Sequence, residues 1–167
     1  GTITDRSIPV QVVDGSGNSF SGVVQISAGG SHTVYLKEDK TVWATGSNGH
    51  GQLGDGTTTT QRDWGVNPLQ VIDGVGNPLS GVLGISAGGF HTVYLKEDGT
   101  VWAVGKNTSG QVGDGTTSSK STPVQVVDGS GNPLSGVFGI STGGFHTVYL
   151  KEDGTVWASG QNDKGQV

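Results

Sequence analysis

Cysteine is absent from the sequence, which excludes disulfides, thiolate metal sites and a cysteine nucleophile. Basic residues are few: nine Lys and Arg stand against 14 Asp and Glu, for a formal net charge of −5. They are scattered along the chain, so we do not expect the clustered basic surface with which nucleic-acid binders neutralise phosphates. No apolar run approaches the ~18 residues of a membrane-spanning helix, so we expect no membrane insertion.

Hydrophobic residues are also scarce, at 31% of the sequence, and charged residues make up only 14%. Glycine, by contrast, occurs 32 times, and it permits backbone conformations and close approaches that other residues do not. Disordered chains usually combine high net charge with few β-branched and aromatic residues. Here Val, Thr, Ile, Trp and Tyr recur in short runs, and Gly or Pro interrupts every window of helix length. The pattern predicts an ordered chain of short strands.

The sequence contains three copies of one repeat. The segment 26–39 returns as 85–98 and as 140–153, and a Pro-led segment that begins at Pro9 returns at Pro68 and Pro123. We divide the chain into repeats at residues 1–55, 56–114 and 115–167. Such self-similarity is typical of arrays in which one structural unit stacks on the next.

Each repeat has the pattern of four short strands. In the first repeat, residues 32–37 are β-branched and aromatic, residues 38–40 form a turn, and residues 41–45 run back. Residues 26–28 predict a short strand before this hairpin, joined to it by Gly-Gly-x. A proline-led strand follows the hairpin, at residues 123–127 in the case of the second repeat.

The hairpin turn carries Asp-Gly in the second and third repeats, which is a strong hairpin signal in which both central residues have positive φ. A two-residue loop of this kind predicts that Leu36 lies opposite Trp43 and Tyr35 opposite Ala44. In the first repeat Lys40 replaces the glycine. We expect this replacement to cost the first hairpin a little stability.

Three consecutive patterns carry a family resemblance. They are Ala-Gly-Gly-Phe-His-Thr-Val-Tyr-Leu at 87–95, Glu-Asp-Gly-Thr-Val-Trp-Ala at 97–103, and Gly-Gln-Val-Gly-Asp-Gly-Thr at 110–116. Together they resemble the regulator of chromosome condensation repeat, and the resemblance covers nearly the whole chain three times over. It implies an all-β fold of β-propeller blades, one four-stranded blade per repeat, with usually about seven blades in a complete propeller.

Two departures from the family pattern concern the origin of the chain. Ala28, Ala87 and Thr142 stand where family members often have Cys, and a stretch such as Asp-Gly-Ser-Gly-Asn-Pro-Leu lengthens each repeat as it does in bacterial members. Absence of Cys is compatible with an oxidising environment. We therefore expect a bacterial protein that is extracellular or on the cell surface.

We interpret residues 1–167 as a single propeller segment that is not closed. If the strand order of the family holds, the proline-led strand is the outer edge of each blade. The chain then has an orphan outer strand at residues 8–13, two complete blades, and a last blade at 140–160 that lacks its outer strand. About four to eight blades enclose a propeller axis, and an unpaired edge invites strand addition. Either the segment belongs to a longer polypeptide, or copies join through Val10 and Val12.

Three histidines occupy the same position in successive repeats, and so do three tryptophans. We expect each imidazole to fix the Gly-Gly turn of its own blade through hydrogen bonds to the backbone, and we assign the tryptophans to the scaffold. No carboxylate or second histidine accompanies them at ligand spacing, and no Gly-x-Ser-x-Gly motif is present. We therefore expect no enzyme and no cofactor. These scaffold residues are His32, His91, His146, Trp43, Trp102 and Trp157.

Two loops place oxygen-bearing side chains at alternate positions, as a calcium loop does. The middle copy of the loop has Val75 at its centre and so loses one oxygen, and no bidentate Glu ends the loop. A turn closed by hydrogen bonds from the backbone to the Asp side chain explains the same residues. The candidates for calcium are Asp14, Ser16 and Asn18, with Asp128, Ser130 and Asn132.

Loops that differ between repeats are the candidates for partner binding, because a rigid scaffold with variable loops is a common arrangement for recognition. The loop after the third strand and the longer insertion of the middle repeat both vary. Trp64 and Arg62 lie in that insertion and are the residue types most enriched in interface hot spots. The other candidates are His50, Lys106, Asn107, Asn162 and Lys164.

The sequence therefore predicts a non-catalytic scaffold for protein–protein interaction, with another protein or further copies of itself as the partner. Two alternatives stay open. One is structural self-assembly, in which copies join head to tail and complete one another's blades. The other is guanine-nucleotide exchange on a small GTPase, which the family resemblance implies.

Overall fold

The structure is a computed structural model that describes residues 4–59 and 67–167. In this part of the chain the secondary structure is β throughout, and there is no helix long and apolar enough to span a membrane. The strands are β1 (Val23–Ala28), β2 (His32–Lys37), β3 (Val42–Gly46), β4 (Leu69–Gln70), β5 (Val82–Ala87), β6 (His91–Lys96), β7 (Val101–Gly105), β8 (Lys120–Gln125), β9 (Val137–Thr142), β10 (His146–Lys151) and β11 (Val156–Gly160).

The strands form three antiparallel sheets, and each sheet is one blade. Blade 1 has the order β1-β2-β3-β4, blade 2 has β5-β6-β7-β8, and blade 3 has β9-β10-β11. The all-β prediction is confirmed, and so is the prediction that the last blade lacks an outer strand among the described residues. The proline-led strand of blade 2 begins three residues earlier than predicted and ends at Gln125.

Blades 1 and 2 each take their outer strand from the following repeat of the sequence. β4 pairs with β3 through Trp43–Gln70 and Ala44–Leu69, although Leu69 and Gln70 lie beyond the first repeat boundary. β8 closes blade 2 in the same way. The Pro-led segment of the first repeat, residues 8–13, joins no sheet and makes only an isolated bridge between Val13 and Ser19.

The blades pack face to face. Successive side chains along a strand point to opposite faces of its sheet, so they belong to two different interfaces between blades. Val34 and Leu36 of β2 face blade 2, where Tyr94 of β6 joins the same buried cluster. The neighbours of Tyr94, Val93 and Leu95, point the other way, into the cluster shared with blade 3. This is the period of two expected when both faces of a sheet are buried.

The hairpin register differs from the predicted one. Tyr35 lies opposite Trp43 and Leu36 opposite Val42, because three residues rather than two form the loop. The Lys37 amide donates to the Thr41 carbonyl at 3.0 Å. In this turn the left-handed residue is Lys40, with φ 64°, so the loop ends in a single residue with positive φ, as three-residue hairpin loops commonly do. One loop residue more than expected moves every pairing by one position.

Lys40 occupies the position that is Gly99 and Gly154 in the other two turns. We expect Lys40→Gly to raise the free energy of unfolding by about 0.5–1 kcal/mol, since glycine adopts this conformation without steric cost. Gly154→Lys should lower it by a similar amount, because Gly154 has φ 81° and open space around it. Urea denaturation measures both.

Lys40 also forms an ion pair with Glu97, and both side chains are about half exposed. Such a pair contributes little, but Lys40→Gly removes it. The control is therefore to measure Lys40→Gly in a Glu97→Gln background, where only the backbone effect remains. A loss of stability there would contradict the assignment of strain to Lys40.

Backbone hydrogen bonds join neighbouring blades at their Gly-Gly loops. The amide of Gly30 donates to the Gly88 carbonyl at 3.1 Å, and that of Gly89 donates to the Gly144 carbonyl at 3.2 Å. A Cβ atom on Gly89 would lie 2.6 Å from the Gly144 oxygen, whereas a Cβ on Gly144 would meet nothing within 4 Å. Glycine is thus required where another blade follows.

Candidate functional site

The loops of the three blades gather at two opposite edges of the sheets. Because successive strands are antiparallel, the loop between the first and second strands lies at the same edge as the loop after the third strand. We call this edge the loop face. It comprises residues 29–31, 88–90 and 143–145, together with residues 47–59, 106–119 and 161–167.

An aromatic–lysine cluster crosses this loop face from blade 1 to blade 3. The rings of His50 and Phe90 meet edge to face with centroids 5.4 Å apart, and Phe90 lies 6.0 Å from Phe145. The ammonium of Lys106 stands 5.4 Å from the Phe90 ring centroid and 5.2 Å from that of Phe145. All four side chains are half-buried, so each keeps part of its surface open to a partner.

Within the cluster, Lys106 has no ion-pair partner among the residues that the structure describes. Its charge is held only by the faces of two aromatic rings, an arrangement that contributes about 0.5–1 kcal/mol at a surface. A cation flanked by aromatic surface suits a carboxylate beside an apolar side chain. The cluster therefore offers both the charge and the apolar area of a recognition site.

Sequence reasoning found two members of the cluster, His50 and Lys106, and missed Phe90 and Phe145. Both phenylalanines precede a repeated histidine, at a position where the first repeat has Ser31. The position varies between two invariant neighbours. That variation could have identified the two phenylalanines as candidates for partner binding, because a residue of the scaffold would be the same in all three repeats.

The prediction that Asn107 contacts a partner is wrong. Its side chain is fully buried, its amide donates to Asp114 at 2.9 Å and to the Thr116 carbonyl at 3.0 Å, and its own oxygen accepts from the Val112 amide at 2.9 Å. Asn48 occupies the same position in blade 1 and is also buried. The asparagine holds the loop together and so repeats for structural reasons.

Four other residues proposed for partner binding or assembly are exposed to solvent. Asn162 and Lys164 are exposed on the loop of blade 3, where the Asn162 oxygen accepts from the Val167 amide at 2.9 Å. Val10 and Val12 are 58% and 40% exposed. Their roles stay predictions. Arg62 and Trp64 lie outside the described residues.

The buried histidines bridge neighbouring blades, which differs from the hydrogen bonds expected within one blade. His32 Nε2 lies 2.9 Å from Thr92 Oγ1 of blade 2, and that hydroxyl donates to the Gln52 carbonyl of blade 1 at 2.8 Å. We call this arrangement a clasp. The Thr92 hydroxyl has one proton, which it donates to the Gln52 carbonyl, so its oxygen accepts the hydrogen bond from His32. The imidazole proton of His32 is therefore on Nε2.

The same clasp joins blades 2 and 3. His91 Nε2 lies 3.0 Å from Thr147 Oγ1, which donates to the Gln111 carbonyl at 2.8 Å. In both clasps the Nδ1 atom is buried and has no hydrogen-bond partner. Protonation would place a charge there, and burial accordingly lowers the pKa of His32 and of His91 to about 4.

The loops considered for calcium are turns closed by an aspartate. Asp14 Oδ1 accepts from the amides of Ser16 and Asn18, both at 2.9 Å, and these bonds hold the pKa of Asp14 below its usual value. Asp128 repeats the pattern with Ser130 and Asn132. No group of three or more His, Cys, Asp or Glu within residues 4–59 and 67–167 could hold a metal ion.

The middle loop has the same form as the other two. Asp73 accepts from the amides of Val75 and Asn77, both at 2.9 Å, so the loop has the same form without the central oxygen. The turn therefore forms through hydrogen bonds from the backbone to the aspartate, as the alternative interpretation proposes.

Each repeated tryptophan lies beneath a lysine of its own blade. The Lys37, Lys96 and Lys151 ammonium groups lie 5.4, 5.7 and 5.4 Å from the rings of Trp43, Trp102 and Trp157. Trp43 and Trp102 are half-buried, whereas Trp157 is exposed. β4 and β8 lie beside the strands of Trp43 and Trp102, whereas no described residue forms an outer strand beside β11.

Two family models match the chain, and both are described as the regulator of chromosome condensation (RCC1) repeat. One matches residues 23–52, 82–111 and 139–166, and the other matches residues 39–95 and 98–150. The matches therefore fall in all three blades and include the clasp histidines.

Two similar curated proteins come from mammals. The probable E3 ubiquitin-protein ligase HERC6 of Homo sapiens is 36% identical over 152 residues, which cover 87% of this chain and 14% of that protein. The regulator of chromosome condensation of Mus musculus is 34% identical over 149 residues, which cover 87% of this chain and 32% of that protein. The chain thus spans a third or less of the length of these relatives.

Solved structures show the same fold. Yeast RCC1 (Prp20) bound to Kap60 matches with a TM-score of 0.69 at 25% identity, over 87% of this chain and 31% of that chain. Human WBSCR16 matches with a TM-score of 0.69 at 25% identity, over 84% of this chain and 34% of that chain. A further structure of Prp20p from Saccharomyces cerevisiae, described with its binding to Gsp1p and histones, also has a TM-score of 0.69.

Proposed function

Because the chain belongs to the regulator of chromosome condensation (RCC1) repeat family, we propose that it is a non-catalytic propeller scaffold whose loop face binds another protein. The observation that carries the proposal is the aromatic–lysine cluster, which joins residues of three blades into one surface. Relatives support a protein as the ligand, since yeast RCC1 (Prp20) is bound to Kap60 and Prp20p is described as binding Gsp1p and histones.

The chemistry of the cluster defines the part of a partner that it would contact. Lys106 presents an ammonium without a carboxylate, and Phe90 and Phe145 present ring surface on either side of it. A segment with an acidic residue next to an aromatic or aliphatic one would satisfy both. Bringing the carboxylate onto a partly desolvated ammonium gives a stronger interaction than an exposed ion pair.

A peptide-display selection against the 167-residue chain tests this function. Binders should be enriched in acidic residues flanked by apolar ones. Lys106→Glu and Phe145→Ser should each weaken selected binders by at least about tenfold, since one reverses the charge and the other removes the ring surface. Affinity is measured by titration of the purified peptides.

The matched control is Lys96→Glu. Lys96 also lies over an aromatic ring, that of Trp102, but it stands at the opposite edge of blade 2. Binders should keep their affinity for this variant. Peptides that lose affinity for Lys96→Glu and keep it for both cluster variants would show that the binding surface is elsewhere.

Two expectations from the sequence accompany this proposal. A bacterial host and an extracellular or cell-surface location rest on the missing cysteine and on the loop that lengthens each repeat. Guanine-nucleotide exchange on a small GTPase rests on the family resemblance. Both stay predictions.

A further inference from the structure

A groove opens between blades 2 and 3 at the edge of the sheets opposite the loop face. Residues 83 and 95–99 of blade 2 and residues 136–138 and 152 of blade 3 line it, and its volume is about 460 Å³. We call it the turn groove, because hairpin turns of both blades border it. Both of its walls belong to blades that pack against each other within the chain.

The apolar part of the turn groove consists of side chains that lie at β-bulges. In blade 2 the register shifts between Val82 and Gly84, so Leu83 has no residue paired opposite it. The shift in blade 3 leaves Phe138 in the same situation. Leu83 is 54% exposed although a blade packs on either side of its own, and Phe138 is 56% exposed. Bulges often re-aim a side chain next to a functional site, and here two apolar side chains line one groove.

Glu152 brings to the groove a carboxylate that has no ion-pair partner among the residues that the structure describes. The other charged groups there have contacts within blade 2. The Lys96 ammonium lies 5.7 Å from the ring of Trp102. Asp98 accepts from the amide and the hydroxyl of Thr100 at 3.0 and 2.6 Å. The groove thus combines apolar walls with a carboxylate that is available to a cation.

The interface between blades 1 and 2 shows which group such a carboxylate binds. There, Lys40 of blade 1 forms an ion pair with Glu97 of blade 2. Glu97 has the repeat position of Glu152, and Lys40 has that of Gly99. The interface between blades 2 and 3 therefore has the acceptor of this ion pair without its donor.

The two interfaces have the same backbone arrangement at this point. The Val82 amide donates to the Lys40 carbonyl at 3.3 Å, and the Val137 amide donates to the Gly99 carbonyl at 3.1 Å. Lys40 has φ 64° and Gly99 has φ 73°. The atom nearest to a Cβ on Gly99 would be the Gly136 nitrogen at 3.4 Å, so a side chain has room to follow the course of Lys40. The turn groove is open because glycine stands in place of this lysine.

We propose that the turn groove binds a segment of another protein that carries a lysine or arginine next to an apolar side chain. The cation takes the place beside Glu152 that Lys40 takes beside Glu97. The apolar side chain packs on Leu83 and Phe138 and excludes water from the pair, which strengthens the charge-assisted hydrogen bond. This site is distinct from the loop face, whose exposed charge has the opposite sign.

Peptide display against the 167-residue chain tests the proposal when peptides that also bind Gly99→Lys are removed in each round. Gly99→Lys supplies the missing ammonium from within the chain and should close the groove. The remaining peptides should be enriched in Lys or Arg next to an apolar residue. An empty pool, or a pool without this enrichment, would overturn the proposal.

Fluorescence titration of a labelled peptide from this pool measures the two parts of the site. Glu152→Gln should weaken binding by about fivefold, the upper end for an ion pair at a surface. Phe138→Ser should weaken it by at least about tenfold, because the ring surface is lost. Parental affinity in both variants would contradict the assignment of the site.

Three controls alter other parts of the chain in matched ways. Glu38→Gln makes the same charge change at the same repeat position of blade 1, and Gly99→Ala alters the turn without adding an ammonium. Lys106→Glu changes the loop face, so it separates this site from the proposed function. All three should keep the parental affinity for the peptide. Equal losses in Glu38→Gln and Glu152→Gln would reduce the binding to a general attraction by negative charge.

Lys40→Gly makes the opposite change to Gly99→Lys, since it frees Glu97 and should open an equivalent groove between blades 1 and 2. Isothermal titration calorimetry should then find two peptide sites per chain instead of one. The second site should be the weaker, because its bulge residues, Val24 and Leu83, are smaller than Leu83 and Phe138. A single site in this variant would show that the lysine does not control access to the groove, and the proposal would fail.

Discussion

Acidification from pH 7 to pH 4 is expected to lower the free energy of unfolding by about 3 kcal/mol for each of the two clasp histidines, His32 and His91. Small domains are stable by only about 5–15 kcal/mol. The loss from both clasps together, about 6 kcal/mol, is therefore a large share of the stability of such a domain.

The sign follows from the protonation of the two states. The pKa of an unfolded histidine is about 6.5, whereas burial lowers the pKa of His32 and His91 in the folded chain to about 4. Below pH 6.5 the unfolded chain binds protons that the folded chain does not bind. The stability that each neutral histidine contributes is complete above about pH 6.5 and is lost as the pH falls toward 4.

Urea denaturation at a series of pH values between 7 and 4 measures this effect. The double variant His32→Gln, His91→Gln should have a smaller free energy of unfolding at pH 7 and a clearly flatter dependence on pH. Thr92→Ser keeps the hydroxyl of the first clasp and should keep the parental slope. An unchanged slope in the double variant would mean that the histidines are not the groups that titrate.

Replacing Gly89 by alanine is expected to lower the free energy of unfolding by about 3 kcal/mol. The new Cβ would lie 2.6 Å from the Gly144 oxygen and 3.3 Å from the Gly144 Cα. The atoms it meets belong to backbone, so a rotamer change cannot relieve the contact. Either the Gly-Gly loops separate or blades 2 and 3 move apart, and both loosen the clasp between His91 and Thr147.

Gly144→Ala is the matched control for this variant. It makes the same change at the same repeat position, but the added Cβ meets nothing within 4 Å. Its free energy of unfolding should stay within about 0.5 kcal/mol of the parent, measured by thermal or urea denaturation. Equal losses in both variants would show that backbone preference, rather than contact between blades, requires glycine at this position.

Much of the fold could be predicted because local patterns determine it. Alternating apolar residues and short loops are properties of ten or so residues at a time, and their recurrence indicates one sheet per repeat. The missing outer strand of blade 3 followed from the phase of the repeat. The hairpin register did not follow, because Asp-Gly is compatible with loops of two or three residues. The bonds from the Lys96 amide to the Thr100 carbonyl and from the Lys151 amide to the Thr155 carbonyl show that the loops have three.

The contacts between blades could not be predicted from the pattern. The partner of His32 is Thr92, 60 positions along the chain and in another sheet, so a repeated histidine alone indicates a structural role without its partner. Asn107 shows the opposite error. Its neighbours vary between repeats, which suggests partner binding, but the asparagine itself recurs as Asn48 and Asn162. That recurrence indicates a structural role, and the structure shows Asn48 and Asn107 buried.

The offset between blades and sequence repeats bears on how such a chain can change its length. Blade 1 is completed by Leu69–Gln70 of the second repeat, and blade 2 by Lys120–Gln125 of the third. A recombination event that deletes or duplicates one whole repeat therefore removes or adds a blade, while each blade that another repeat follows still receives its outer strand from that repeat. Arrays of different length can therefore arise in single steps.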